Sequence, residues 1–374
     1  MTLKILHTAD IHIGMKFSNY PAGIREELVE ARFTVLQDLI LKANQVKTDL
    51  FIITGDLFER INISEKDILR TIKVLEDFAG DFVLIIPGNH DYDNGMMELW
   101  SFFKKNISQK IKVLNEYKAF SLNNVINKNI ILYSAYCDSK HSSENRIDWI
   151  KNITFPENSL NIGLVHGALL DLSPDLNSRY FSISTEELLD MDGMDLWLLG
   201  HIHIPYPVQK KVENCKIFNS GTPEADGFDF SADSSAWIID IDSSKNISAE
   251  KINCGSFNFL DLNKNISSLE DLKLLTDKII DENPASKLLR LSLSGYLDEE
   301  SYQQKEKYYQ KLREKLKYFL IDDSDLKIKI SKKMIEKEFN TDSFPYQLLI
   351  ELADRFEDDQ PLQLAYELIR EVQK

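Results

Sequence analysis

Six of the seven histidines stand at the ends of short apolar runs, and two aspartates and the GNHD asparagine and aspartate stand at the same kind of junction. Asp10 and His12 follow the run at 3–6, and Asp56 follows the one at 50–53. Asn89, His90 and Asp91 follow 82–86, His166 follows 162–165, and His201 and His203 follow 196–199. Carboxylates, imidazoles and one amide oxygen suit borderline divalent ions such as Mn²⁺ and do not suit a thiolate-held zinc. One aspartate can bridge two such ions about 3.5–4 Å apart, a spacing that stabilises both oxygens of an in-line displacement. Taken singly, each motif is more often a packing feature. Five of them at equivalent strand ends, in one order, read as a centre for two divalent ions. His7, two residues before its strand turns, reads as a packing or outer group. His141, among Ser139, Lys140 and Ser142, reads as a solvated loop residue.

The runs themselves are short, continuous and rich in Ile, Val, Leu and Phe, as expected of strands covered on both faces. A sixth lies at 130–133. Between the first two runs, Leu28, Ala31, Val35, Leu39, Ala43 and Val46 form one side of an amphipathic helix. A second helix covers 64–78, with Ser64 as N-cap and Asp67 three residues on. This predicts a layered α/β domain whose strand ends converge on one edge. Glycines at 55, 88, 167 and 200 let the chain turn there. Residues 208–252 read as strand, turn and strand, a second sheet completing the core.

A domain of this kind over 1–256 is followed by a small α/β module over 257–333, with helices at 268–280 and 300–316 and strands at 288–293 and 326–330. After a polar stretch at 337–342, the tail at 334–374 holds two short amphipathic helices. One carries Tyr346, Leu349, Ile350, Ala353 and Phe356 behind Ser343; the other carries Leu362, Ala365, Ile369 and Val372 behind Asp359, Gln360 and Pro361. Helices this short need a cover for their apolar faces. There is no internal repeat, no 18-residue apolar run and no secretory leader pattern at the N-terminus, so a cytoplasmic protein off the membrane is expected. Cys137, Cys215 and Cys254 form no CxxC pair and read as small buried side chains. A net charge of −16 provides no overall field to steer the chain to a polyphosphate. Any such contact must be local. Lys305, Lys307, Lys311, Arg313, Lys315 and Lys317 crowd one helix, a solvated face or a backbone contact.

The ordered set DxH, GD, GNHD, VHG and GHxH resembles the calcineurin-like metallophosphoesterase superfamily. That resemblance implies a four-layer β-sandwich flanked by helices. It places one ion on Asp10, His12, Asp56 and His203 and the other on Asp56, Asn89, His166 and His201. His90 would be the catalytic histidine, with Asp91 orienting it. LHTADIHIG at 6–14, GDLFER at 55–60, GHIHIP at 200–205 and SGTPEADGF at 220–228 are similar to the SbcD-type DNA repair nucleases, closest to their YhaO-like branch. LLRLSLSGY at 288–296 is similar to the strand opening that family's DNA-capping module. The residue after GDLF is commonly His or Asp in relatives and is Glu59 here. The resemblance implies a Mn²⁺-dependent exonuclease at DNA ends, double- or single-stranded. Lys307, Lys311 and Lys315 would contact DNA, and the tail would bind an SMC-like coiled-coil ATPase; a homodimer is left open.

Two other functions compete. A phosphatase or phosphodiesterase on a small molecule or phosphoprotein would use the same five motifs, although phosphoprotein enzymes usually show GDxxDRG and GNHE. Phosphate release from nucleotides, set against shortening of a labelled duplex, separates the two. A non-catalytic scaffold would typically have lost ligands, and here none is missing; a metal analysis finding no tight divalent ions would favour it.

Overall fold

The computed structural model describes residues 2–125, 128–142, 144–172, 181–230, 232–355 and 360–372. It divides into two compact units, Met1–Asn258 and Phe259–Lys374. Phe356 and Asp359, assigned above to the tail helices, lie outside the described residues.

The first unit begins β1 (Leu3–Thr8), α1 (Ala22–Val46), β2 (Leu50–Thr54), α2 (Glu65–Glu76), β3 (Phe82–Ile86) and α3 (Glu98–Asn106). Then come β4 (Ile111–Val113), β5 (Ala119–Val125), β6 (Lys128–Ala135), α4 (Asp148–Lys151), β7 (Leu160–His166), β8 (Ala168–Leu169) and β9 (Ser182–Ile183). It closes with α5 (Thr185–Leu189), β10 (Leu196–Gly200), β11 (Lys211–Glu213), β12 (Ile217–Asn219), β13 (Ser235–Ile241) and β14 (Ile247–Asn253).

These strands make two main sheets among the described residues, ordered β11-β14-β13-β1-β2-β3-β4 and β12-β10-β7-β6-β5. The mixed α/β fold is therefore as expected, but the site-bearing strands do not share one open sheet. β1, β2 and β3 pair in parallel in the first sheet, and β6, β7 and β10 in the second. Residues 208–252 do not form a sheet of their own either. β13 joins β1 antiparallel in the first sheet and β12 joins β10 in the second.

Alternation along the apolar runs explains the layering. Ile5, Ile52, Leu84, Leu132, Leu164 and Leu198 all point into one core between the sheets. Their neighbours Leu6, Phe51 and Ile85 face α1, α2 and α3, while Val165, Trp197 and Leu199 fill a third core outside the second sheet. A strand with a core on each face must be apolar at every position. α1 buries Leu28, Ala31, Val35, Leu39 and Ala43 as expected, and also Arg32. Ser64 caps α2 by accepting from Asp67 N.

The second unit runs β15 (Asn258–Ile266), α6 (Leu269–Ile280), β16 (Lys287–Leu297), α7 (Glu299–Lys315), β17 (Tyr318–Ile328), α8 (Lys332–Glu338), α9 (Phe344–Arg355) and α10 (Gln360–Val372). β16, α7 and β17 form a parallel crossover beside β15 in a three-stranded sheet. α6 starts on a capping box between Ser268 and Asp271. The expected boundary at 333/334 falls inside α8, a helix the polar sequence there concealed. Ile330, Ile335 and Phe339 share a small core with Leu349 and Leu362, so the tail helices cover their main apolar faces within this unit. Ile330 N donating to Gln363 and an ion pair from Lys327 to Glu367 pin α10 to the end of β17. No helix among the described residues is long and apolar enough to cross a membrane.

Leu164 is fully buried between the two sheets. Leu164→Ala is expected to destabilise the first unit by about 2–5 kcal/mol, read as a lowered denaturant midpoint with an unchanged slope.

Candidate metal centre

The loops leaving β1 and β2 run side by side. Asp10 N donates to Gly55 O at 3.1 Å, His12 N to Asp56 O at 3.0 Å and Ile13 N to Leu57 O at 2.9 Å. Asp10, His12 and Asp56 take the left-handed backbone conformation, with φ of 54°, 54° and 50°, and His201 takes φ of 93°. Four non-glycine residues with positive φ at one spot are a concentration of backbone strain that surrounding contacts must hold. Those contacts are present. His201 N donates to the Asp10 carboxylate at 2.9 Å, His90 N donates to Asp56 Oδ1 at 2.8 Å, and Thr222 Oγ1 lies 2.8 Å from Asp10 O.

Across the gap, β7 and β10 are in register with His166 opposite Gly200, which sets His166 beside His201. Glycine is needed at these strand ends mainly for room. Only Gly55 of the four has positive φ, at 96°. A Cβ on Gly88 would fall 2.2 Å from Asp56 Oδ1, and one on Gly55 would fall 2.0 Å from His166 Nδ1.

Three groups of donors result, each with its ligand atoms within 4.8 Å of one another: Asp10, His12 and His203; His12, Asp56 and His90; Asp56, His166 and His201. Asn89 Oδ1 joins the third, 3.0 Å from His166 Nε2 and 2.8 Å from His201 Nδ1. His12 Nε2 and His203 Nε2 are 3.3 Å apart, and Asp56 Oδ2 is 3.3 Å from His166 Nε2. The expected ligands therefore meet in one place.

The donor set fits cations. Thr54 O can only accept, so the 2.8 Å contact puts a proton on His166 Nδ1 and leaves its Nε2 lone pair facing two more acceptors, Asn89 Oδ1 and Asp56 Oδ2. A proton or a metal ion must sit among them. In the metal-free protein the proton does so. Burial alone would lower His166, but the Asp56 charge and hydrogen bond outweigh it and push its pKa up to about 9. Asp56 is correspondingly held far below the carboxylate range despite its burial, by His166 and His12. Burial, with the charge of His166 beside it, pulls His201 down to about 3. Asp10 is raised by burial, against the pull of His166 and His203.

His90 stands at the mouth, its side chain a third exposed. Its Nδ1 lies 3.0 Å from Glu59 O, so a main-chain carbonyl orients the ring. Asp91, expected to orient His90, does something else. Its two oxygens accept from Gly88 N at 2.7 Å and Phe58 N at 3.0 Å, tying together the loops after β3 and β2. Burial, then the nearby Asp56 charge, pushes the Asp91 carboxyl up to about 7. His7 is fully buried, with Nε2 2.8 Å from Thr54 Oγ1 behind the centre. His141 is exposed, and the three cysteines are free and half-buried rather than buried. Lys307, Lys311 and Lys315 lie on α7 of the second unit, where Lys311 pairs with Asp277 at 2.8 Å and the other two are exposed.

Four residues at the centre carried no role in the sequence reading: Glu59, beside His12 and His90; Asp226, beside His203; Arg32; and Thr222. Thr222 and Asp226 fall inside the motif SGTPEADGF, which was their only signal, and Glu59 falls inside GDLFER, where it was marked as a departure from relatives. Arg32 could have been marked as a charge on the apolar face of α1.

A two-sheet sandwich with Asp, His and Asn converging at its strand ends defines a metal-dependent phosphoester hydrolase class. A family model for calcineurin-like phosphoesterases matches residues 3–205, more than half of the chain, and the chain belongs to that family. It is similar to a protein of Bacillus subtilis (strain 168) described as the uncharacterized metallophosphoesterase YhaO, with 27% identity over 208 residues. That match covers 54% of this chain and 48% of the relative, so the chain matches only about half of the relative's length. Among solved structures it is similar to TT1561 of Thermus thermophilus, with 11% identity, 68% of this chain and 99% of that one covered, and a TM-score of 0.40. A dimetal phosphatase from Danio rerio is similar at 11% identity, covering 67% and 98% of the two chains, with a TM-score of 0.37.

Gly88→Ala is expected to displace both the carboxylate and the main-chain N of Asp56, 2.2 Å and 2.4 Å from the added Cβ, without changing the secondary structure of the domain. Equilibrium dialysis should show Mn²⁺ uptake reduced at every site that uses Asp56, with the circular dichroism spectrum unchanged.

Proposed function

We propose that this chain is a two-ion DNA nuclease, an exonuclease at DNA ends that works in DNA repair beside an SMC-like coiled-coil ATPase. The observation that carries the two-ion reading is Asp56, whose carboxylate stands in two donor groups at once, with His12 and His90 and with His166 and His201. In this reading Asp10, His12, Asp56 and His203 hold one ion, and Asp56, Asn89, His166 and His201 the other. The oxygen- and nitrogen-rich set favours Mn²⁺. Bound there, two divalent ions would supply Lewis acidity toward the phosphoryl oxygens.

The chain's own groups do the rest. His90 projects from the mouth on a ring fixed by Glu59 O, leaving Nε2 to contact the phosphate or to protonate the departing oxygen. Gly88 N, Phe58 N and Asp91 keep the GNHD loop from shifting, which preserves that aim. DNA as substrate is supported by the similarity of four segments around the centre to the SbcD-type nucleases. A second unit is superfluous for a small phosphate ester, and its α7 offers exposed Lys307 and Lys315 to a DNA backbone.

With Mn²⁺, the protein should shorten an end-labelled linear duplex or single strand and release little inorganic phosphate from nucleotides. His90→Ala should cut DNA turnover about 10²–10⁴-fold while the ions stay bound. Phosphate release without DNA shortening would make the chain a phosphatase, and a metal-free, inactive His90→Ala would reassign His90 as a ligand.

For the partner, α10 keeps a second apolar stripe outside the small core, with Leu364, Leu368 and Val372 60%, 54% and 88% exposed. Cutting the chain near Asp342 would uncover Ile330, Ile335 and Phe339. Leu364→Asp with Leu368→Asp is the cleaner change. It should abolish co-purification with the ATPase and leave nuclease activity intact; retained co-purification would remove this face from the interface.

A further inference from the structure

Within the two-ion reading, the two sets of ligands are backed differently. His203 Nδ1 lies 2.9 Å from Asp226 Oδ2, and His12 Nδ1 lies 2.9 Å from Glu59 Oε2. Both histidines thus have a carboxylate behind them and turn Nε2 towards each other and Asp10. His166 is backed by a neutral main-chain carbonyl, Thr54 O. The inner ligands differ in the same sense, since Asp10 stands on the first side and the uncharged Asn89 on the second. With Asp56 common to both, the first pocket gathers Asp10, Glu59 and Asp226 as additional negative charge.

A buried cation holds the first pocket together. Arg32 is fully buried on α1, and its Nη1 donates to Glu224 O at 2.8 Å and to Ile11 O at 3.4 Å, while Nη2 donates to Ala225 O at 3.0 Å. Ile11 is the residue between Asp10 and His12, and Ala225 precedes Asp226. One guanidinium therefore fixes the ligand loop and the loop that carries the backing carboxylate. Burying an arginine is costly unless its donors are used; here the two terminal nitrogens are spent on the two loops that define one pocket, while Nε has no partner among the described residues.

We propose that Glu59 and Asp226 are positioning residues that hold His12 and His203 with Nε2 free for metal, and that they make the Asp10 pocket the tighter of two unequal ion sites. A carboxylate behind a histidine fixes the protonated nitrogen, aims the other and raises its basicity. Each added negative charge within a few ångströms further favours a divalent cation over water. Arg32 secures the geometry from inside the fold.

Calorimetric titration of Mn²⁺ into the metal-free full chain tests this. The wild type should take up two ions in two resolved steps, the first at least tenfold tighter. Asp226→Asn and Glu59→Gln, isosteric changes at side chains only 24% exposed, should each weaken the first step about 10–100-fold and leave the second in place. Asn89→Ala should do the opposite, weakening the second step alone. A purely structural role would lower thermal stability and blur both steps together, and that result would overturn the proposal. So would two equal steps in the wild type, or variants with unchanged first steps. Uptake of a single ion by the wild type would instead refute the two-ion reading itself.

Discussion

Asp10 and Asp56 are buried carboxylates, at most 2% exposed, on adjoining loops of one sheet, with His12, His166, His201 and Asn89 packed around them. Removing two like charges from water in the same pocket is tolerated only with strong compensation. In the metal-free chain a proton on His166 and main-chain donors from His90 and His201 supply part of it. The rest of the architecture follows from this constraint. Two sheets packed face to face must bring their strand ends together at the centre, because the aspartates follow β1 and β2 and three of the histidines lie at the ends of β7 and β10. The glycines at 55 and 88 are small because the opposing imidazole and carboxylate already fill the space a Cβ would need. Left-handed backbone at Asp10, His12, Asp56 and His201 is the local cost of turning those side chains inward.

The same pocket reconciles the acidic balance with a phosphoester substrate. A chain of net charge −16 repels polyanions at long range. The centre gathers part of that negative charge where divalent cations would compensate it, and cations bound there would reverse the local sign. Lysines of α7, some already paired with aspartates such as Asp277, carry a smaller local counter-charge in the second unit.

Much of this was legible before the structure. Runs such as 50–53 and 196–199 are apolar at every position because each strand serves two cores, and that signal survives in a single sequence. Asp10, His12, Asp56, Asn89, His90, His166, His201 and His203 stood out because each follows such a run within a few residues. What could not be read was pairing between distant segments. Nothing in residues 208–252 says that β12 and β13 part company and join different sheets. Arg32 reaches Glu224 and Ala225 across 192 and 193 residues of sequence, which no local pattern encodes. Asp91 was misassigned for a related reason. The resemblance alone placed it behind His90, but on a tight turn successive side chains diverge, and its oxygens accept from Gly88 N and Phe58 N.

The central claim is that Asp56 joins two ions in one centre. Diffraction from Mn²⁺-loaded crystals, recorded on both sides of the manganese absorption edge, addresses it directly. The account predicts two anomalous peaks about 3.5–4 Å apart with an Asp56 oxygen between them, one beside Asp10 and His203 and the other beside Asn89 and His201. A single peak, or two peaks with Asp56 bound to only one, would contradict it.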